Sequence, residues 1–168
     1  MNKKNVIYIG VDAALLNTGW VCVEASPTYK LLNYGTVKTP SNPKVCLGER
    51  LRVLHESLEK QFSPSFFLTE TNTYEFIIET NYHQIYKSGY APEYVCACAV
   101  VSCFFRGLAK SVFEYNPNQT RGITGNIRAK KDQVKTSVIK YFPDTDLKKL
   151  NDHEIDAMAA VICHLITS

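Results

Sequence analysis

Four residues would converge into a chemically capable set if the chain folds as its pattern suggests: Asp12, Glu70, His153 and Asp156. Asp12 ends the apolar run Val6-Ile7-Tyr8-Ile9-Gly10-Val11, and Glu70 ends a second, Phe66-Phe67-Leu68-Thr69. His153 and Asp156 stand three apart at the head of a C-terminal segment with helical apolar spacing. An acid at the end of each of two buried strands, with a His/Asp pair on one helix face, is a donor set suited to two-metal phosphodiester hydrolysis.

Each residue alone has a plainer reading. An Asp after a strand is usually a turn residue whose side chain bonds nearby backbone. His153 and Asp156 alone could be first-turn residues favoured by the helix dipole. Asn151-Asp152-His153-Glu154 even has capping-box form, with Asn151 as cap and Glu154 as its reciprocal partner. The helix discriminates better. Ile155, Ala159, Ile162 and Ile166 form an apolar stripe, and Asp156 lies beside it with His153 one turn earlier. An acid at the margin of an apolar face is costly unless paired or metal-bound. Small Ala157 and Ala160 are expected to leave room for an ion, and oxygen donors with one imidazole suit Mg²⁺ or Mn²⁺ better than a closed zinc site.

These residues need a frame to bring them together. Residues 5–11 read as a fully buried strand. A turn at 12–18, a strand at 19–24 and another at 29–39 make an antiparallel meander. Leu47, Leu51, Leu54, Leu58 and Phe62 have helical spacing, giving a helix over 44–61 that Pro64 stops. The strand ending at Glu70 follows, then helices at 75–87 and 92–109, a short strand at 111–115, a long polar loop at 116–128 that reads as mobile, and helices at 129–141 and 152–166. The expectation is an α/β fold, one mixed five-stranded sheet with helices on both faces. A crossover through helix 44–61 makes the Glu70 strand parallel to the first. Paired at ~4.8 Å spacing, the two would set their terminal acids at one sheet edge.

Bulk properties agree with a soluble enzyme. The 168 residues suit one domain over 1–168, and the charged share of 21% is ordinary. No apolar run approaches the roughly 20 residues of a membrane span, and no signal-peptide core precedes Asp12, so a cytoplasmic location with no membrane partner is expected. The six cysteines include no C-x-x-C and lie mostly in apolar stretches, as free buried thiols do. The net charge of +3 is uneven: residues 106–149 carry +6 and the remainder −3. A basic segment beside an acid cluster fits a polyanion held by one region and cut by another, although a solvated helix face and polar loop would look similar.

The motifs resemble the RuvC-type Holliday-junction resolvases of the ribonuclease-H-like superfamily. Tyr8-Ile9-Gly10-Val11-Asp12-Ala13-Ala14 with Asn17-Thr18-Gly19-Trp20 is similar to that family's first strand, acid and turn. Gly35-Thr36-Val37, Arg50-Leu51 and Pro64 through Glu70 resemble its third strand, first helix and second acidic motif. Phe113-Glu114-Tyr115, then Lys130-Lys131-Asp132-Gln133-Val134, resembles its last strand, basic loop and next helix. His153 through Ala159, running on to His164, resembles the closing motif. The family's Pro-Gly after the first acid is here Ala13-Ala14, and His153 replaces its third acid.

The resemblance implies a crossover junction endodeoxyribonuclease of DNA recombination and repair. Asp12, Glu70, His153 and Asp156 would hold two divalent ions about 4 Å apart, Mg²⁺ with Mn²⁺ as substitute. Cleavage of a four-way junction would leave 5′-phosphate and 3′-hydroxyl ends. Lys131 would act with the catalytic set, neutralising charge on the phosphate. Arg121, Arg128, Lys130, Lys131 and Lys135 would bind the DNA backbone. Thr73, with Tyr74 beside it, would occupy the place three residues after the second acid where some members carry a junction-probing aromatic. Two opposed cuts imply a homodimer. A nuclease of relaxed branched DNA or RNA–DNA hybrids, or a non-catalytic junction-binding module, would share this fold.

Overall fold

A computed structural model describes residues 5–25, 28–42, 44–63, 66, 72–80, 92–109 and 111–168. Strands β1 (Asn5–Asp12), β2 (Asn17–Ala25) and β3 (Tyr29–Lys38) form the antiparallel meander, and helix α1 (Leu47–Gln61) crosses to β4 (Asn72–Glu79). Helix α2 (Pro92–Leu108) then crosses to β5 (Val112–Tyr115). The sheet order is β3-β2-β1-β4-β5, with β4 parallel to β1 and β5 parallel to β4. The mixed five-stranded α/β architecture is as expected, with three antiparallel strands followed by parallel ones.

Alternation along the strands divides the core in two. Ile7, Ile9, Val11, Trp20, Cys22, Phe76 and Ile78 face α1 and α2. Val21, Val23 and Ile77 face the other side, against α4 (Lys131–Tyr141) and α5 (Asp152–Thr167). The same parity turns Asp12, two after Gly10, and Glu79, two after Ile77, toward α5. Glycine lets the helix come close. A Cβ on Gly10 would stand 2.4 Å from the Ala157 carbonyl oxygen, and one on Gly19 2.4 Å from the His153 carbonyl carbon. Ala157 and Ala160 are fully buried in this second core. Their small size serves helix-on-sheet packing, where room for an ion was expected, and Ile166 of the expected stripe is exposed.

Three boundaries differ from the sequence reading. The strand beside β1 is Asn72–Glu79, and Glu70 lies outside the described residues. The first part of the helix expected at 75–87 is therefore β4, and the rest of it lies outside the described residues beyond Thr80. The polar loop at 116–128 is largely ordered: α3 (Pro117–Arg121) is followed by a 3₁₀ turn at Gly122–Thr124. Asn116 and Gln119 form a reciprocal capping box there, with Pro117 in the first turn, and Gly125 takes the left-handed conformation that closes the segment. All six cysteines are free; Cys22, Cys98 and Cys163 are buried, whereas Cys46 and Cys103 are exposed.

Candidate active site

Asp12 and Glu79 are direct neighbours across the parallel β1–β4 pair. Both are buried, at 5% and 8% exposure. The position expected for Glu70 is thus filled by Glu79, at the end of the apolar run Phe76-Ile77-Ile78. A visible signal distinguished the two runs. Ile77 and Ile78 are β-branched, whereas Phe66-Phe67-Leu68 is not, and β-branched residues fit a pleated, buried strand.

Helix α5 delivers the other two groups. Its capping box forms as expected: Asn151 Oδ1 accepts from the Glu154 amide at 3.1 Å, and Glu154 Oε2 accepts from the Asn151 amide at 2.9 Å. Buried Glu154 also accepts from the Thr36 hydroxyl at 2.9 Å, which ties the helix start to β3. His153, seated on Gly19, then reaches Asp12, with Nδ1 2.7 Å from Oδ2. An ionised carboxylate only accepts, so Nδ1 is the donor and a neutral ring leaves the Nε2 lone pair free. Asp156, one turn on, lies within the electrostatic reach of Asp12, and Glu79 feels both.

Glu79 has a further partner that the sequence reading missed. The Thr120 hydroxyl, 2% exposed on α3, donates to Glu79 Oε2. Among the described residues, no three metal-binding side chains are disposed around one point as a finished cage. Asp12 is engaged by His153 and Glu79 by Thr120, so these bonds occupy part of the donor capacity.

The basic residues are distributed unequally. Lys131, the first residue of α4, bonds Asp152 with Nζ 3.1 Å from Oδ2. Partial burial opposes its charge, but this bond and the fields of Asp156, Asp152 and Asp12 hold its pKa above the ordinary lysine value. Arg121 is half-buried, and its charge is felt at Glu79. Arg128 and Lys130 are exposed, and Lys135 is half-buried on α4. Thr73 and Tyr74 are elsewhere. They pair with Val6 and Ile7 where β4 begins, six residues or about 20 Å before Glu79 at the strand rise. Tyr74 packs on the first core. Counted from Glu79, the place three residues on is Tyr82, outside the described residues.

Crowded acids set the titration. Burial, then the charge of Asp12, pushes the Glu79 carboxyl well above the ordinary carboxylate range, with Asp156 adding to it and Thr120 and Arg121 opposing. Burial, then Asp12, raises Asp156 to about 6. The hydrogen bond to Asp12 raises His153 despite partial burial. A carboxyl raised by folding keeps a proton that the unfolded chain loses, so stability falls as pH climbs from the carboxylate range through the folded pKa. A raised His stabilises fully below its unfolded pKa, and that stability is lost as pH rises through the folded value. All three slopes have one sign. In chelating buffer Tm should fall between about pH 5 and pH 8, and excess Mg²⁺ should flatten the slope by favouring charged carboxylates. Thermal melts across pH check this, and a Tm rising over that range contradicts it.

The arrangement can be set beside known proteins. A sequence family described as "Crossover junction endodeoxyribonuclease RuvC" matches residues 8–164. The crossover junction endodeoxyribonuclease RuvC of Rickettsia typhi is 33% identical over 167 residues, covering 96% of this chain and 98% of that one. Its counterpart from a Wolbachia of Brugia malayi is 30% identical over 165 residues, covering 95% and 93%. Among solved structures, Thermus thermophilus RuvC superposes with a TM-score of 0.70 at 20% identity, over 95% of this chain and 93% of that one. The same protein in complex with Holliday junction substrate gives 0.70 at 20% identity, over 96% and 93%. A match through 8–164 takes in β1 with Asp12, β4 with Glu79 and α5 with His153 and Asp156, and this chain is a member of the RuvC family of crossover junction endodeoxyribonucleases.

Proposed function

We propose that this protein resolves four-way DNA junctions by paired, metal-dependent hydrolysis, with Asp12, Glu79, His153 and Asp156 as the metal-binding set. The observation that carries the assignment is the gathering of two buried carboxylates, Asp12 and Glu79, with half-buried Asp156 and His153 where β1 and β4 end beneath α5. Charges so placed are costly unless a cation offsets them. The donor set fits Mg²⁺ or Mn²⁺, with two ions per site. Held by these four residues, such ions would supply activation of a water and charge stabilisation of the leaving 3′-oxygen, and the products would carry 5′-phosphate and 3′-hydroxyl ends.

The chain's own groups do the rest. Asp12 orients His153 through Nδ1, and Glu79 is held from α3. Lys131 can release Asp152 and turn toward a phosphate, since both side chains are exposed. Arg128, Lys130 and Lys135 then grip backbone phosphates, and Arg121 does so closer to Glu79. A basic flank beside an acidic edge holds DNA over the site without reading its sequence.

Lys131→Ala should slow single-turnover cleavage at saturating enzyme. Removing a charge-stabilising donor from a water-excluded site costs about 100-fold, and for this exposed lysine roughly tenfold is expected. Arg128→Ala should instead raise the apparent Kd and lower the salt slope by about one unit. An unchanged saturating rate in Lys131→Ala would leave the lysine as a solvated helix-start residue.

A junction needs two opposed cuts, and a homodimer supplies two sites. The exposed side of α2 supports this reading. Cys96, Ala99, Val100, Cys103 and Gly107 make a small-residue apolar stripe, bordering a groove with His55 and Phe104. Small side chains let a second helix approach, and an exposed apolar stripe can serve as a contact between copies. Tyr82, Tyr86 and Tyr90, also candidate anchors, lie outside the described residues. Light scattering at micromolar protein should give twice the chain mass, and Cys103→Glu should lower it toward one. A monomeric mass with and without junction contradicts the dimer. Comparing junction, flap, fork and RNA–DNA hybrid substrates tests selectivity; the junction should be cut fastest, and equal rates on flaps and forks would make it a general branched-DNA nuclease.

A further inference from the structure

We propose that Thr120 is a positioning residue for Glu79: its buried hydroxyl fixes one carboxylate oxygen so that the other is presented to a divalent cation. This rests on the reading of Glu79 as a metal-binding residue. The backbone of Glu79 is already held, because its carbonyl accepts from the Ala13 amide at 3.3 Å and the Thr80 amide donates to Tyr115 at 2.8 Å. A glutamate side chain keeps three torsions after that, and a pinned backbone leaves its carboxylate free to swing. The hydrogen bond from Thr120 to Oε2 restricts that swing, and it leaves Oε1 without a partner among the described residues.

Thr120 can do this because it is itself fixed. Its amide donates to the Asn116 carbonyl at 3.1 Å, inside the capping box that starts α3. The Cys163 thiol of α5 donates to the Gln119 carbonyl at 3.4 Å, tying α3 to the helix that carries His153 and Asp156. The hydroxyl has one hydrogen and two acceptors in range, Glu79 Oε2 and the Pro117 carbonyl at 3.1 Å. An ionised carboxylate is the stronger acceptor, so the proton goes to Glu79 when Glu79 is charged. Partners that orient a metal ligand typically contribute 10–100-fold in metal affinity. The threonine therefore acts through Glu79, without touching the cation or the DNA.

The test is Mn²⁺ binding by titration calorimetry on DNA-free protein, for wild type, Thr120→Val, Thr120→Ser and Glu79→Gln. Thr120→Val keeps the side chain's shape and should weaken Mn²⁺ binding about tenfold. Thr120→Ser keeps the hydroxyl and should bind close to wild type. In junction cleavage, Thr120→Val should raise the Mg²⁺ concentration for half-maximal rate by a similar factor while the rate at saturating Mg²⁺ returns near wild type. Should Thr120→Val melt well below wild type, Thr120→Ala serves in its place. Wild-type affinity in Thr120→Val, with weak binding in Glu79→Gln, overturns the role of Thr120. Equal loss in Thr120→Val and Thr120→Ser also overturns it, because packing and not the hydroxyl would then matter. Wild-type affinity in Glu79→Gln would remove Glu79 from the metal site and take the underlying reading with it.

Discussion

Glu79→Gln should abolish junction cleavage, whereas Glu70→Gln should leave it close to wild type. Glu79 is the acid that β4 places opposite Asp12, 8% exposed and facing α5 with His153 and Asp156. The amide keeps size and shape and can still meet Thr120, but it removes the negative charge a divalent ion needs. Loss of a metal-binding carboxylate withdraws several kcal/mol of transition-state stabilisation, a drop of about 1,000-fold or more. The same substitution should raise Tm in chelating buffer near neutral pH, since it relieves repulsion from Asp12 and Asp156. Opposite signs for activity and stability mark a group held for function at the fold's expense. Single-turnover rates and melting curves of both variants check this. Comparable losses in the two, or a Glu70→Gln loss alone, would return the second acid to position 70.

Asp12→Asn should be as severe for cleavage and far milder for binding. Asp12 is the most central of the acids: it bonds His153, raises Asp156 and raises Glu79. An asparagine there loses the charge, and its amide can present an N–H to the His153 nitrogen where a lone pair is needed, so the imidazole loses its orientation. The proposed phosphate contacts are those of Arg128, Lys130 and Lys135, which this change does not touch. Cleavage should fall by about 1,000-fold or more, with junction affinity within a few-fold of wild type. Cleavage within about tenfold of wild type would remove Asp12 from the site.

Much of this arrangement is legible in the sequence. The run before Asp12, short, β-branched and aromatic, reads as a buried strand, and its length matches β1 closely. The Asn151/Glu154 cap formed as its spacing demanded, which fixed the start of α5 and hence the direction of His153 and Asp156. The strand beside β1 was placed at 66–70 instead of Asn72–Glu79 for a physical reason. Two short apolar runs each end in Glu, and such runs do not declare helix or strand by periodicity alone.

Glu75 stands inside the strand-forming run Tyr74–Ile78, where a charge is costly if buried. Its tolerance comes from outside the segment: the His164 Nε2 of α5 lies 3.4 Å from its carboxylate, and Tyr8 is its β1 neighbour. Phe66, at the head of the competing run, packs edge-on against Trp20 and Phe62 at the margin of the first core. The segment after β5 was misjudged differently. Asn116-Pro117-Asn118-Gln119 has the same capping form as the start of α5, in a stretch otherwise rich in the turn residues Gly122, Gly125 and Asn126. That error hid Thr120, because only an ordered α3 brings its hydroxyl to Glu79.

The most direct test of the account is cleavage of a synthetic four-way junction, each strand end-labelled in turn, beside a linear duplex of the same sequence. With Mg²⁺ the expected outcome is paired cuts in two opposed strands, nicks that ligase seals without further processing, no cleavage in EDTA, and little cutting of the linear duplex. Equal cutting of junction and linear duplex, or cleavage that persists in EDTA, would contradict it.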